Sequence, residues 1–169
     1  DYDIEAVIHC AGGGVGLKEP LMSSLALYTL FQANLGRQIE VNRLFIPKMI
    51  ERKKGYIVHV CSIASGEAVG SVGYNTMKAA LAAYVRSLGR EMAKHGIVIT
   101  GISPGGFRSP DGAMERLEKT NPQAYHEFEK KLPRGKMGEA TELLPLIELL
   151  ISEGASMMGG SVIAIDAGE

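Results

Sequence analysis

Four short apolar runs alternate with longer helical patterns along the chain. The runs cover residues 5–10, 56–61, 97–102 and 161–165, and each is nearly continuous in apolar residues. Such runs are typical of strands with both faces covered, as in a parallel sheet. Helical periodicity predicts helices over about 22–52, 73–94 and 140–152. Strands that alternate with helices in this way predict an α/β fold with a parallel sheet.

One apolar stripe runs along the helical pattern at 73–94. Its members recur every three or four residues and are Met77, Leu81, Val85, Leu88 and Met92. This spacing puts them on one helix face, which a sheet would bury. The residues beside the stripe include Ala79, Ala80, Ala82 and Ala83. These alanines have two interpretations, which are high helix propensity and close packing against a second subunit.

The composition describes an ordinary globular protein. The chain has 169 residues, of which 46% are hydrophobic and 22% charged, and this suits one domain with a sizeable core. The formal net charge of -1 gives no long-range attraction to nucleic acid or to an anionic membrane, and we expect neither as a partner. No apolar run approaches the roughly 20 residues of a membrane span, and the first residues lack the pattern of a signal peptide. A cytoplasmic location is therefore expected.

The two cysteines are expected to be free thiols. Cys10 and Cys61 each stand at the end of a predicted buried strand, where a thiol usually serves as a small hydrophobic side chain. With no Cys-x-x-Cys and no histidine cluster, we expect no bound metal. The chain opens without methionine shortly before a predicted strand, so we also expect that it begins inside a longer protein or has been processed.

Candidate chemistry lies between the second predicted strand and the helix that follows it. Tyr74 and Lys78 stand four residues apart, so on a helix their side chains share one face. An ammonium held about 4 Å from a phenol would stabilise the phenolate and let tyrosine act as a general acid or base near neutral pH. Ser62, at the end of the strand, could orient a carbonyl or alcohol beside Tyr74. A surface lysine lying along a half-buried tyrosine is the alternative interpretation.

Asn34 and Gly36 lie inside the helical pattern at 22–52, although both residue types disfavour helix interiors. Such a pair often marks a kink or a functional group. A harmless, exposed Asn34 is the alternative.

The order of these residues resembles the short-chain dehydrogenase/reductase family. Its catalytic set of Asn, Ser, Tyr and Lys corresponds here to Asn34, Ser62, Tyr74 and Lys78. The resemblance implies that Tyr74 exchanges the hydroxyl proton, that Lys78 binds the cofactor ribose, and that Asn34 supports a relay water. Ser62 lies twelve residues before Tyr74, whereas thirteen is the commoner family spacing, so Ser65 is a competing hydroxyl.

The turn after the first predicted strand extends the resemblance. Ala11 and Gly12 match the family's Asn-Ala-Gly, which packs against the ribose side of the cofactor, although Cys10 stands where the family usually has Asn. The glycine-rich phosphate turn that the family places after its first strand is absent. The resemblance therefore covers about the C-terminal two-thirds of a family member. It implies a partial, Rossmann-like, three-layer doubly wound sheet that starts at the family's fourth strand, in one domain over 1–169, with one bare strand edge.

The turn after the third predicted strand resembles the family's Pro-Gly turn. Pro104 and Gly105 form the turn, and Phe107 and Ser109 occupy the places of the apolar residue and the Thr that hold the nicotinamide carboxamide. The resemblance thus implies NAD or NADP as the cofactor. The two cannot be told apart, because the residues that select between them follow family strands that have no counterpart here.

Residues 107–138 form a long connection with helical pieces of its own. The resemblance places the substrate, a small carbonyl or alcohol compound, beneath this segment and makes it a lid. The possible pocket walls are Met114, Leu117, Tyr125 and Phe128. A surface helical hairpin is the alternative.

The leading hypothesis is an NAD(P)-dependent oxidoreductase that interconverts a secondary alcohol and a ketone. The absent phosphate turn motivates a second hypothesis, in which the chain is a fragment without cofactor binding or catalysis on its own. Dehydration or epimerisation on the same scaffold is a third. The bare strand edge and the alanine-rich helix face also predict a symmetric homo-oligomer. It is expected to be a homodimer through 35–49 and 73–93, a pairing that the resemblance supports, with a homotetramer through the last helix and 161–165 as the larger assembly.

Overall fold

The structure, a computed structural model, describes residues 3–169, and a four-stranded parallel sheet lies at its centre. The strands are β1 (Ala6–His9), β2 (Gly55–Val60), β3 (Ile97–Pro104), β4 (Phe107–Arg108), β5 (Gly138–Glu139) and β6 (Val162–Ile165). The main sheet has the order β1-β2-β3-β6, and β4 pairs with β5 in a separate small sheet. All four runs predicted as strands lie in the main sheet, which confirms the parallel α/β architecture.

Helices connect these strands. They are α1 (Ser24–Phe31), α2 (Arg37–Arg52), α3 (Val72–Ala93), α4 (Ala113–Thr120), α5 (Pro122–Glu129) and α6 (Leu144–Leu150). α1 passes into α2 through a π-helical turn at Gln32–Gly36, and 3-10 turns lie at Ile63–Ser65, Ala140–Leu143 and Glu153–Ala155. Within residues 3–169, none of the helices has both the length and the apolar character needed to cross a bilayer.

Helices cover both faces of the sheet, which makes the predicted three layers. On one face α2 and α3 pack on the strands through a cluster that includes Met49, Ile57 and Ile99. On the other face α6 packs on Val58 through Leu150. Ile57 and Val58 are neighbours in β2 and point to opposite faces because a strand is pleated.

A serine cap decides where α3 begins. The Ser71 hydroxyl accepts a hydrogen bond from the Tyr74 backbone N–H at 3.5 Å. Serine is favoured at this position because it satisfies a backbone donor that helix geometry leaves unpaired. The cap places Tyr74 in the first turn of α3, at the end of the helix that lies nearest the carboxyl ends of the strands.

The apolar stripe of α3 faces the core, as predicted, and Leu81 and Val85 are fully buried. The alanine surface beside it is narrower than expected. Ala82 is buried with the stripe, and only Ala79 and Ala83 of the named alanines are classed as exposed. At 3.6 residues per turn, Ala82 falls on the same side of the helix as Leu81 and Val85, whereas Ala79 and Ala83 fall on the opposite side.

Two expectations about β1 are wrong. Its faces are not both covered, since Ile8 is 41% exposed while Val7 packs against the α2 and α3 side. Cys10 is exposed, whereas Cys61 is buried as expected. Within the described residues β1 pairs with β2 alone, so it is an edge strand. Cys10 also follows the last paired residue of β1, His9, and lies beyond the covered part of the sheet.

The last helix is also shorter than the pattern at 140–152 predicts. It opens with the 3-10 turn and becomes α-helical only at Leu144, next to Pro145, and it ends at Leu150. Proline is well tolerated in the first helical turn because its missing N–H would be unpaired there.

Candidate active site

A cleft of about 180 Å³ lies at the carboxyl ends of β1, β2 and β3. In an open α/β sheet this edge is where ligands bind. The residues that line the cleft are Cys10, Gly12, Gly13, Val60, Cys61, Ser62, Tyr74, Lys78, Pro104, Gly105 and Phe107. Most of the site residues predicted from the sequence lie in this lining. The exceptions are Ala11, Asn34 and Ser109.

Tyr74 and Lys78 stand on consecutive turns of α3. The Lys78 Nζ lies 5.7 Å from the centroid of the Tyr74 ring, in keeping with their spacing on the helix. Lys78 is only 4% exposed, and its ammonium donates to the Val60 carbonyl at 2.9 Å. Burial lowers the pKa of Lys78, because a charge is less favourable where little water reaches it. Lys78 is the only Lys, Arg, His, Asp or Glu among the described residues that line the cleft, so the cleft pairs a single buried cation with a phenol.

The glycine turn after β1 is hydrogen-bonded to the side chain of Asn34. The Asn34 side chain accepts from the Gly13 N–H and donates to the Gly13 carbonyl, each at 2.9 Å. It also donates to the Leu30 carbonyl at 3.0 Å, within its own helix. A Cβ on Gly12 would lie 2.9 Å from Asn34 Oδ1 and 3.3 Å from Lys78 Nζ. Glycine at position 12 therefore lets the backbone of the turn lie close against both polar groups, where a side chain would crowd Asn34.

The structure decides between the alternatives for Asn34. The side chain is fully buried in the π-helical turn, so the interpretation as a harmless exposed Asn34 is wrong. π-helical turns are rare and are often found at functional sites. Asn34 lies behind the glycine turn and does not line the cleft. Its role with a relay water stays a prediction.

The other two exceptions lie at the margins of the site. The Ala11 carbonyl accepts from Gln38 Nε2 at 3.0 Å, on the side of the turn that faces α2. Ser109 follows β4, and its carbonyl accepts from the Gly112 N–H at 2.9 Å in the turn before α4. Their proposed contacts with a cofactor also stay predictions.

Ser62, and not Ser65, is the hydroxyl that lines the cleft. The Ser62 Oγ accepts from the Ala64 N–H at 3.2 Å and caps the 3-10 turn at Ile63–Ser65. The Ser65 Oγ is buried and has no hydrogen-bond partner among the described residues. Of the two hydroxyls, only that of Ser62 is therefore placed to meet a molecule in the cleft.

Sequence reasoning missed Cys10 and Gly13 as cleft residues. A signal was available, because both flank Ala11 and Gly12 at the carboxyl end of a predicted strand. Cys61 also lines the cleft, but burial raises the pKa of its thiol to about 11, which keeps it protonated and unreactive at neutral pH. Across residues 3–169, His, Cys, Asp and Glu side chains form no group of three or more arranged to hold a metal ion.

A larger cavity of about 460 Å³ adjoins the cleft at Gly105 and Phe107. It lies between the end of β6 and the last part of the segment at 107–138. The side chains expected as pocket walls line neither cavity: Met114, Leu117, Tyr125 and Phe128. That expectation is wrong for Met114, Leu117 and Tyr125, because these side chains pack together in a small core that also holds Leu132 and Met137. Phe128 lies outside this core and is 38% exposed.

Comparison with known proteins gives the chain a family. A family model described as enoyl-(acyl carrier protein) reductase matches residues 2–169. A 3-oxoacyl-[acyl-carrier-protein] reductase from Aquifex aeolicus is 30% identical over 148 residues, which are 87% of this chain and 58% of that protein.

Solved structures share the fold. An oxidoreductase of the short chain dehydrogenase/reductase family from Burkholderia thailandensis superposes with a TM-score of 0.89 at 23% identity, covering 99% of this chain and 65% of that one. A 3-oxoacyl (acyl-carrier-protein) reductase from Agrobacterium tumefaciens, solved with NADP bound, gives 0.87 at 23% identity, with the same two coverages of 99% and 65%. The chain thus spans about three fifths to two thirds of the length of these relatives. It belongs to the short-chain dehydrogenase/reductase family.

Proposed function

We propose that this chain is part of an NAD(P)-dependent oxidoreductase that interconverts a secondary alcohol and a ketone, with Tyr74 as the general acid or base. The observation that carries the proposal is the meeting of Tyr74, Lys78 and Ser62 in one cleft at the strand ends. A protein of the same fold has NADP bound, which supports a nicotinamide dinucleotide as the cofactor.

The residues present fit the nicotinamide end of such a dinucleotide. Ribose hydroxyls would meet Lys78 in the cleft, where its ammonium has two donors left after its bond to Val60. Pro104 and Gly105 would hold the nicotinamide. When bound, the dinucleotide supplies or accepts the hydride. A pyrophosphate needs a glycine turn at a helix N-terminus, and the sequence has no turn of the family's form.

The protein groups would supply position and a proton. In the reducing direction Tyr74 would donate its proton to the carbonyl oxygen, and the Ser62 hydroxyl would donate a hydrogen bond to the same oxygen. The Lys78 ammonium would stabilise the phenolate that remains. Asn34 would hold the glycine turn and support the water that returns a proton to the site.

The test is hydride transfer by the protein that carries this chain. Purified protein is mixed with NADH or NADPH and a panel of ketones, and the absorbance of the reduced nicotinamide is followed together with product formation. We expect one alcohol formed for each dinucleotide oxidised. Products of dehydration or epimerisation, formed without net oxidation of the dinucleotide, would contradict the proposed reaction and support one of those two reactions in its place.

A second candidate is that the 169-residue chain alone neither binds the dinucleotide nor catalyses. It is favoured by the absent phosphate turn and by the open edge of β1, where Ile8 is partly exposed. Titration of this chain with NADPH, followed by nicotinamide fluorescence, separates the two candidates. A Kd below about 1 mM would rule out the second candidate.

We further propose a homodimer through α2 and α3, with a homotetramer through α6 and β6 as the larger assembly. Exposed apolar residues on these helices support this proposal, among them Leu44 on α2 and Leu149 on α6. A cytoplasmic location stays a prediction of the sequence.

A further inference from the structure

A line of buried polar side chains leads from the middle of the sheet to the glycine turn at the cleft. Gln38 on α2 donates through Nε2 to two backbone carbonyls, those of Ala11 at 3.0 Å and Asn34 at 2.9 Å. The other end of its amide, Oε1, lies 2.6 Å from Nδ1 of His59 on β2. Gln38 therefore joins β2 to the first residue of the turn and to the backbone of Asn34.

Asn42 continues the line from His59 to the edge strand. Its Nδ2 lies 3.4 Å from His59 Nε2 and 3.1 Å from the Tyr84 hydroxyl, and its Oδ1 lies 2.8 Å from His9 Nε2. The two imidazole rings stack with their centroids 4.5 Å apart. This stacking follows from the register, which pairs His9 with His59 across β1 and β2.

The hydrogen-bonding chemistry gives this line one direction. A backbone carbonyl can only accept, so Gln38 must turn its NH₂ group toward the two carbonyls and its oxygen toward His59. His59 must then carry its proton on Nδ1, which leaves Nε2 to accept from the Asn42 amide. Asn42 consequently turns its oxygen to His9, whose proton lies on Nε2. One tautomer of each histidine satisfies every bond.

Burial keeps both imidazoles neutral. Desolvation, aided by the nearby His9 and Lys78, lowers the pKa of His59 to about 3, and burial also lowers the pKa of His9. A second proton on His59 would lie on Nε2 and oppose the Asn42 NH₂ group, so the Asn42 amide would have to turn over and its bond to His9 would change direction. At neutral pH the hydrogen bonds therefore have one arrangement.

We propose that Gln38 is a positioning residue that holds the turn at 11–13 and the Asn34 backbone in the shape that receives the nicotinamide ribose, with His59, Asn42 and His9 fixing its orientation. This inference rests on the proposed dinucleotide-dependent function. Asn34 bonds Gly13 at one end of the turn, and Gln38 bonds Ala11 at the other end. Both ends of the turn are thus held by side-chain hydrogen bonds, although Gln38 itself does not line the cleft.

A role in stability alone does not account for this arrangement. Apolar side chains of the same volume would fill this part of the core without burying so many polar groups. The line instead ends on the carbonyl of Ala11, the residue before Gly12, and on that of Asn34, whose side chain bonds Gly13. Buried, fully paired networks fix one geometry, which is the property a binding turn needs.

The test compares Gln38→Met, which keeps the length of the side chain and removes all three bonds, with the control Tyr84→Phe, which removes only the branch to Asn42. Amide hydrogen exchange is measured at Gly13, whose N–H bonds Asn34, and at Leu81 in the middle of α3. We expect Gln38→Met to speed exchange at Gly13 by roughly tenfold or more with Leu81 unchanged, because the opening is local. We also expect a roughly tenfold weaker Kd for NADPH. Tyr84→Phe should leave the Gly13 exchange rate and the Kd within about twofold.

A merely structural role for Gln38 would speed exchange at both amides together or at neither, and either result overturns the proposal. Nitrogen NMR of the unmodified protein shows which ring nitrogen of His59 carries the proton. A proton on Nε2 would also overturn the proposal. Exchange is measured without dinucleotide. A protein that fails to bind NADPH would therefore refute the proposed function, while the exchange data still decide whether Gln38 positions the turn.

Discussion

At the scale of single residues, the cleft depends on one buried cation. Lys78 bonds the Val60 carbonyl and lies close to Gly12 and to the Tyr74 ring. Because its charge is poorly hydrated, the ammonium gains more from a new polar partner than an exposed lysine would. A phenolate, or ribose hydroxyls, would be such a partner.

Tyr74→Phe should lower turnover by roughly 100- to 10,000-fold and leave the fold unchanged, because only the phenolic oxygen is lost. Turnover and the thermal unfolding midpoint are measured on the protein that carries this chain. Tyr28→Phe is the matched control, since Tyr28 is an exposed tyrosine on α1. Activity of the Tyr74 variant within a few-fold of the unmodified protein would contradict the assignment.

Lys78→Ala should slow turnover and also weaken dinucleotide binding by roughly tenfold or more, because a charge-assisted hydrogen bond to the ribose is lost. Binding is measured by titration with NADPH. The control is Lys131→Ala, at an exposed position away from the cleft. An unchanged Kd in the Lys78 variant would refute the ribose role while leaving a role in proton transfer open.

At the scale of elements, the π-helical turn and the register of β1 with β2 together build the site. The turn directs Asn34 at the glycine turn, and the register brings His9 over His59. His59 then touches several elements at once. It stacks on β1, bonds α2 through Gln38 and meets the edge of the Tyr84 ring on α3.

His59 should make the protein less stable in acid. The unfolded chain takes up a proton near the ordinary pKa of 6.5, whereas the folded protein does so only near 3. Between these two values the unfolded state binds more protons, so the free energy of unfolding falls as the pH falls, by up to about 1.4 kcal/mol per pH unit from this group. His59→Asn should flatten the measured slope between pH 6.5 and 3 by up to this amount.

Denaturant unfolding at a series of pH values gives the slope, with each variant compared with its own stability at neutral pH. His95→Asn, in the turn before β3, is the matched control for the loss of an imidazole. A His59 variant with an unchanged slope would show that the imidazole takes up its proton in the folded state as readily as in the unfolded chain.

At the scale of the whole molecule, apolar side chains remain exposed on the outer faces of the helices. Leu25 on α1 is 74% exposed and Leu44 on α2 is 70% exposed, and α3 adds the small side chains of Ala79 and Ala83. Exposed apolar side chains mark a surface that another protein covers when they lie together. In a symmetric dimer through α2 and α3, they would meet the same side chains of the second copy.

Ala83→Glu should therefore shift the protein toward smaller species, because symmetry repeats the new charge across the interface and burial makes it costly. Light scattering at micromolar concentration measures the assembly. Ala113→Glu, at an exposed position at the start of α4, should leave it unchanged. A stable monomer of the unmodified protein under these conditions would contradict the proposed dimer.

The sequence by itself determined the α/β class, the parallel strands and the grouping of candidate residues at one edge of the sheet. These follow from local properties: apolar runs mark strands, and in a parallel sheet the turns after the strands must meet at one edge. Ser62, Tyr74, Lys78 and the Pro104 turn consequently share a cleft. Two expectations failed, that Cys10 is buried and that Met114 forms a pocket wall. Both depend on which other elements cover these side chains, and local sequence does not report that.

Only the tertiary structure decided which polar groups meet. Asn34 could have been an exposed helix residue, and nothing in the local pattern pairs it with Gly13. His9 and His59 lie on separate strands, and their stacking depends on a register that no single stretch of sequence encodes. The physical reason is that periodicity reports which side of an element is apolar, whereas contacts between buried polar groups depend on how elements distant in the chain are placed against each other.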